Sequence, residues 1–223
     1  MGAVRAVLLS HRIGRNTPLY PGTPQPEFKP HKSLSRGDSS NSWIITLANH
    51  TGTHVDAPNH FIPYGRKISE YGPEELVFHG AIIIDVPKEL GGAITGEDLE
   101  PHRDAFKAYS MVMIRTGVQR HRESDPRAYA EEGPLLAPSA ARLIKSFSPR
   151  LRAIGIDAVS ISTPARREEG RESHRILLSG DGVLILEDMD LAGKPSEYRL
   201  VIVAPLMLEE VDSAPCTVIG LTG

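Results

Sequence analysis

The stretch from His50 to His60 reads HTGTHVDAPNH and gathers three histidines and one aspartate into a short segment. Imidazole and carboxylate together suit zinc, manganese or iron, and a neutral imidazole also serves as a base. Thr51, Thr53 and Val55 are β-branched, Gly52 interrupts a helix, and Pro58 would remove a helical hydrogen bond. The segment is therefore expected to be extended, although His50 and His54 have helical spacing. In an extended chain side chains alternate, so His50, His54, Asp56 and His60 share one face. A straight strand would hold His50 and Asp56 about 20 Å apart, at roughly 3.3 Å per residue. Ligands of one ion lie only ~2 Å from it. The chain must bend, and Gly52 and Pro58 permit the bend. A kinked strand or loop at the mouth of a sheet is the expectation. A lone histidine is usually structural or exposed. Three histidines and an acid of one parity, broken by Gly and Pro, favour a metal or catalytic role.

The elements that must hold this segment follow from patterning. Ala3 to Ser10 reads as a first strand, and Thr17 to Pro26 (TPLYPGTPQP) as a turn-heavy loop. Trp43 to Ala48 reads as a strand feeding the histidine segment. Ala81 to Val86, Met111 to Arg115, Ala153 to Asp157, Val183 to Leu186 and Arg199 to Ala204 are apolar runs suited to buried strands, the last of them the final strong strand of the chain. Thr95 with Asp98 marks a short helix stopped by Pro101, and Pro138 to Ser148 has near-helical apolar spacing closed by Pro149. His121 to Gly133 is turn-rich and charged, a surface excursion. Ile161 to Arg175 (ISTPARREEGRESHR) is strongly charged, and such runs are usually solvated faces. A helix followed by a strand suggests helices packed on a mixed sheet, an α/β fold.

Composition sets the outer limits. The chain has 223 residues, 40% hydrophobic and 24% charged, which suits one domain spanning 1–223. A net charge of −3 gives no footprint for nucleic acid. No apolar run approaches the ~20 residues that span a bilayer. The apolar start is too short for a secretory signal, so a cytoplasmic location is the expectation. The single cysteine, Cys216, allows no intrachain disulfide and has no adjacent histidine.

HTGTHVDAPNH matches HxGTHxDxPxH and resembles the signature of the metal-dependent cyclase family, which includes bacterial kynurenine formamidase (arylformamidase) and isatin hydrolase. LSHRI, TPLYPGTP, MIRTG, IGIDAVSIS, ESHRILL, LILEDMDL, EYRLVIVAPLML and DSAPCTVI are similar to further family segments, so the likeness covers nearly the whole chain. The resemblance implies a swivelling β/β/α-type fold and a homo-oligomer, a dimer or tetramer. It implies metal ligands at His50, His54 and Asp56, with Asp56 bridging to a second divalent ion held by His174 and Glu187. Zinc comes first and manganese second. It implies His60 as the acid/base and Tyr20 as a substrate-facing aromatic, at a position where the family often has Trp. Pro215 is followed by Cys216 and Thr217, where the family often has arginine.

The expected activity is hydrolysis of a small amide by metal-activated water, with N-formylkynurenine giving kynurenine and formate in tryptophan catabolism. A cyclic amide such as isatin is the alternative substrate. A metal-containing binding protein without turnover is the alternative of another class, and His60 argues against it, because pure binding needs no such base.

Overall fold

The computed structural model describes residues 4–147 and 150–223. Its strands are β1 (Arg5–Leu8), β2 (Glu27–Lys32), β3 (Ser42–Thr46), β4 (His54–Asp56), β5 (Val77–Asp85), β6 (Ala93–Ile94), β7 (Met111–Arg115), β8 (Leu135–Leu136), β9 (Ala153–Ile156), β10 (Leu184–Glu187), β11 (Glu197–Pro205) and β12 (Ser213–Thr222). Between them lie the helices α1 (Gly96–Leu99), α2 (Arg103–Ala108), α3 (His121–Ser124), α4 (Pro126–Glu131), α5 (Pro138–Phe147) and α6 (Arg167–Leu178). The main sheet runs β1-β12-β11-β5-β7-β9-β10-β4, and β4 pairs back onto β12. β12 thus carries β11 on one edge and β1 and β4 end to end on the other. Closure leaves few free edges to attract another chain. The run β5-β7-β9-β10 is parallel, and the other pairings of this sheet are antiparallel.

Period-two alternation sorts the strands into two cores. Met111, Met113, Leu184, Leu186 and Val55 fill the barrel. Val112, Ile114, Ile154, Ile156 and Ile185 face outward and pack with residues of α5 and α6, among them Ile144 and Leu177. By the same alternation His54, Asp56 and Glu187, neighbours of Val55 and Leu186, lie on the outer face. Gly155 keeps the barrel lining thin: a Cβ there would stand 2.3 Å from the sulfur of Met189.

Several expectations change. β3 does not feed the main sheet. It pairs with β2 alone in a two-stranded ribbon, and Trp43, Ile44 and Ile45 are each more than half exposed. The run Arg199 to Ala204 sits inside β11 and is not the last strand, because β12 follows. Pro215 is tolerated in β12 because its carbonyl accepts from Leu206 N while the next amide, Cys216 N, donates to Thr53 O. Helical structure does not stop at Pro101: the chain passes through a 3-10 turn, Glu100–His102, into α2. Pro101 occupies a first turn, where a missing N–H costs little. His121 to Gly133 folds as α3 and α4 and buries Tyr129 completely. The charged run is mostly the helix α6, whose Gly170, Ser173, His174, Leu177 and Leu178 are buried. Their spacing is a helical stripe, but Gly, Ser and His fill its first half, so hydropathy hides it. The ends expected at Ala3, Ser148 and Pro149 lie outside the described residues. Among the described residues no helix is long and apolar enough to cross a membrane.

Candidate metal centre

The expected bend is real, and Gly52 and Pro58 sit where it turns. Gly52 has φ +65°, a left-handed conformation that glycine adopts without a Cβ penalty. It precedes β4, which is only three residues long; a 3-10 turn, Pro58–His60, follows it after the single residue Ala57. His50 and His60 are folded back over β4, and their ring centroids lie 4.3 Å apart. His174 arrives from α6, and Glu187 from the end of β10, where it pairs with His54 in register.

The side chains converge. His54 Nε2 lies 3.2 Å from Glu187 Oε2 and 3.6 Å from Asp56 Oδ1. His174 Nε2 lies 3.4 Å from Glu187 Oε1 and 3.8 Å from Asp56 Oδ2. His50 Nδ1 is 3.1 Å from Asp56 Oδ1, and His60 Nε2 is 4.0 Å from Asp56 Oδ2. All six sequence-derived residues of the cluster therefore surround one point. Tyr20 joins them at the wall of an adjoining cavity of about 290 Å³, with Phe61 and Val159. Phe61 stacks on His174 at 4.7 Å.

Backbone contacts decide which imidazole nitrogens face the cluster. His54 Nδ1 donates to Gly52 O at 2.8 Å, and His174 Nδ1 donates to Gly170 O at 2.8 Å. Each leaves Nε2, with its lone pair, aimed inward, the arrangement by which metal-binding histidines are usually oriented. Gly170 can present that carbonyl so close to the loop because it has no side chain: a Cβ would stand 2.1 Å from Ser162 Oγ. Glu187 Oε1 accepts from Ser160 Oγ at 3.0 Å and from Ile161 N at 2.6 Å. The next residue, Asp188, has φ +49° and is held by a two-point contact with Arg122 and a 2.7 Å bond from Tyr129. This brace keeps the turn after β10, and with it Glu187, in place. Asp157 of the IGIDAVSIS segment accepts from Thr116 and Gly117 of the MIRTG segment, tying the ends of β7 and β9 together.

Spacing alone did not reveal Asp212, which stands just before β12. Its Oδ2 meets His60 Nδ1 at 2.6 Å and His50 Nε2 at 3.1 Å, and its Oδ1 accepts from Asn49 at 2.7 Å. DSAPCTVI carried the only signal, since its first residue is this aspartate. The ring of ionisable groups is electrostatically tight. Burial works against the charged forms of His50, His54, Asp56, His174, Glu187 and Asp212, yet their partners prevail. Asp56 and Asp212 raise the His50 pKa to about 10. Nearby imidazoles hold Asp56 well below the usual carboxylate range, and contacts with His174 and His54 bring Glu187 down to about 2.

These donors fit a divalent cation. His54 Nε2 and both Asp56 oxygens are buried and have no hydrogen-bond partner among the described residues. The approach of His50 to Asp56 is close but not aligned as a hydrogen bond. Buried polar atoms are rarely left so, and a shared ion satisfies them at once. The sets His50–His54–Asp56, Asp56–His60–His174 and His50–His60–Asp212 each have spacing that could hold a metal.

Known proteins resemble this chain over most of its length. The Cyclase family model matches residues 7–163. Kynurenine formamidase of Geobacillus thermodenitrificans is 27% identical over 210 residues, covering 93% of this chain and 92% of the relative. A solved structure described as a predicted metal-dependent hydrolase from Bacillus stearothermophilus is 28% identical, with a TM-score of 0.78 and 99% of both chains covered. Isatin hydrolase A from Labrenzia aggregata, at 23% identity, shares the fold with a TM-score of 0.82, covering 98% of this chain and 94% of the other. The chain belongs to the Cyclase family.

Proposed function

We propose that the protein is a metal-dependent hydrolase of small amides, with an aryl formamide such as N-formylkynurenine as the first substrate to test. The observation that carries this reading is the set of buried, unpartnered donors, His54 Nε2 and the two Asp56 oxygens, amid the histidines and Glu187 that line a cavity. In this reading His50, His54 and Asp56 hold one divalent ion, and Asp56, His174 and Glu187 hold a second. Zinc is the first choice and manganese the second. Bound there, such ions supply an acidified water and a polarised carbonyl. His60 moves the proton: Asp212 holds its Nδ1, so its Nε2 faces the cavity and delivers a proton to the leaving nitrogen. Asp212 grips His50 as well, so one carboxylate sets the position of both rings. Tyr20 and Phe61 flank the aryl group.

The same reading makes the protein a cytoplasmic homo-oligomer, a dimer or tetramer, of the swivelling β/β/α type. The exposed Trp43 and Ile45, which share one face of the β2–β3 ribbon, support self-association, because exposed apolar surface of this kind marks contact sites. The test is elemental analysis of the purified protein together with hydrolysis of N-formylkynurenine and isatin by the same sample. Bound metal with formamide turnover supports the proposal, and turnover of isatin alone moves the substrate to the cyclic amides. Bound metal with neither activity favours a binding protein, and metal-free protein after growth in metal-replete medium removes the proposal.

A further inference from the structure

The cavity beside the metal centre has a charged mouth. Arg167 and Arg171 line it together with His174, at positions i, i+4 and i+7 of α6. That spacing places all three on one helix face. Arg167 opens the helix, where the positive end of the macrodipole disfavours a cation. Its neighbour Arg166 is offset by Glu169 through two bonds of 2.7 and 2.6 Å. The Arg167 side chain has no hydrogen bond or ion pair among the described residues. Arg171 meets Glu168, which is outside the cavity lining. The one acid in the lining is Glu187, deep in the metal cluster. An unpaired guanidinium at that end of a helix gains nothing from the helix dipole, yet it faces a cavity in a chain of net charge −3. A local positive mouth on an acidic protein gathers anions.

Resting on the amide-hydrolase reading, we propose that Arg167, assisted by Arg171, binds a carboxylate at the far end of the substrate and so selects acid-bearing aryl amides over neutral ones. Guanidinium forks match carboxylates in plane and in pairs. Arg167 lies seven positions from His174, about 10 Å along the helix at 1.5 Å per residue. A substrate reaching both ends is an aryl amide with a short acidic arm. Isatin, which has no carboxylate, leaves the arginines unused. Tyr20 and Phe61 lie in the same cavity and suit the flat middle of the substrate.

The test compares the metal-loaded wild type with Arg167→Gln and with the Arg167→Gln/Arg171→Gln double variant. Three substrates serve: N-formylkynurenine, its primary carboxamide, and formanilide. The wild type is expected to prefer the carboxylate over the carboxamide. Arg167→Gln is expected to raise KM for the carboxylate about 5- to 20-fold, the range of a charge-assisted bond at a partly solvated site, with kcat nearly unchanged. Formanilide turnover stays at the wild-type level, and added salt erodes the preference of the wild type alone. Formanilide turnover with no carboxylate preference, or a preference that survives the double substitution, overturns the arginine assignment and leaves the hydrolase reading standing. If no formamide is hydrolysed, that reading fails by itself. The arginines are then judged by calorimetric binding of benzoate against benzamide: benzoate binding lost in the double variant supports the anion site, and equal binding removes it.

Discussion

Two of the segments that supply the ionisable cluster are held in opposite ways. His50 to His60 is irregular chain, kept in place by its own bends: a left-handed Gly52, a three-residue strand and a 3-10 turn led by Pro58. α6 is regular helix, kept in place by packing: Leu177 and Leu178 enter the outer core, and Gly170 sits against Ser162. The first segment contributes four groups over eleven positions, the second a single imidazole. A loop can aim several side chains at one point because each residue has its own φ and ψ. A helix repeats its angles and offers only one face, so it must be docked as a unit. The loop is therefore expected to be sensitive to loss of a donor, and the helix to loss of fit.

Asp56→Ala tests the first half of this contrast most severely. It removes the one side chain shared by the proposed ion sites, and metal is expected to be lost entirely, as read by elemental analysis. Undiminished metal would show that the bridge is not needed. His60→Ala is expected to retain metal and lose hydrolysis by a factor of about 100 or more. Full activity would take His60 out of the mechanism. Asp212→Asn keeps the shape but weakens the grip on both rings; a loss of about 10- to 100-fold in kcat with metal retained is expected, the usual size for a partner that orients such a ligand. Loss of metal instead would make Asp212 a ligand. Gly170→Ala tests the helix. The new methyl meets Ser162 backbone at 2.8 Å as well as its hydroxyl, so α6 must move outward. A loss of about 1–3 kcal/mol in stability is expected, with weaker metal binding through His174. Unchanged melting and metal affinity would mean that the helix is not fixed by this contact.

A smaller effect separates protons from metal as partners of the carboxylates. The His50 pKa is raised from 6.5 to about 10 in the metal-free protein. A raised imidazole pKa contributes stability that is complete below 6.5 and is lost as pH climbs toward 10. Thermal melting of metal-free protein is expected to fall across that window. Metal bound at His50 would hold it neutral, so metal-loaded protein is expected to lack this fall, while its metal affinity is expected to drop in acid, where protons compete for the donors. Parallel melting profiles with and without metal would place His50 outside the ion site.

Some of this was readable from residue order because its causes are local. β-branching at Thr51, Thr53 and Val55 excludes a helix, parity puts four donors on one side, and Gly52 and Pro58 permit the bend. The buried parallel strands were equally plain as unbroken apolar runs. β12 was hidden because Pro215 and Gly220 read as interruptions, and α6 because its buried stripe begins with Gly, Ser and His.

Local sterics and side-chain alternation thus determined, from the chain alone, that one short segment would present imidazoles and an acid together. Tertiary structure decided what completes the ring. Asp212 reaches His60 across 152 positions because β12 closes the barrel against β4. Arg167 reaches the cavity because α6 docks over the outer face of the sheet. Contacts of this kind depend on closure and packing of distant parts, and no pattern within either segment encodes the other's position.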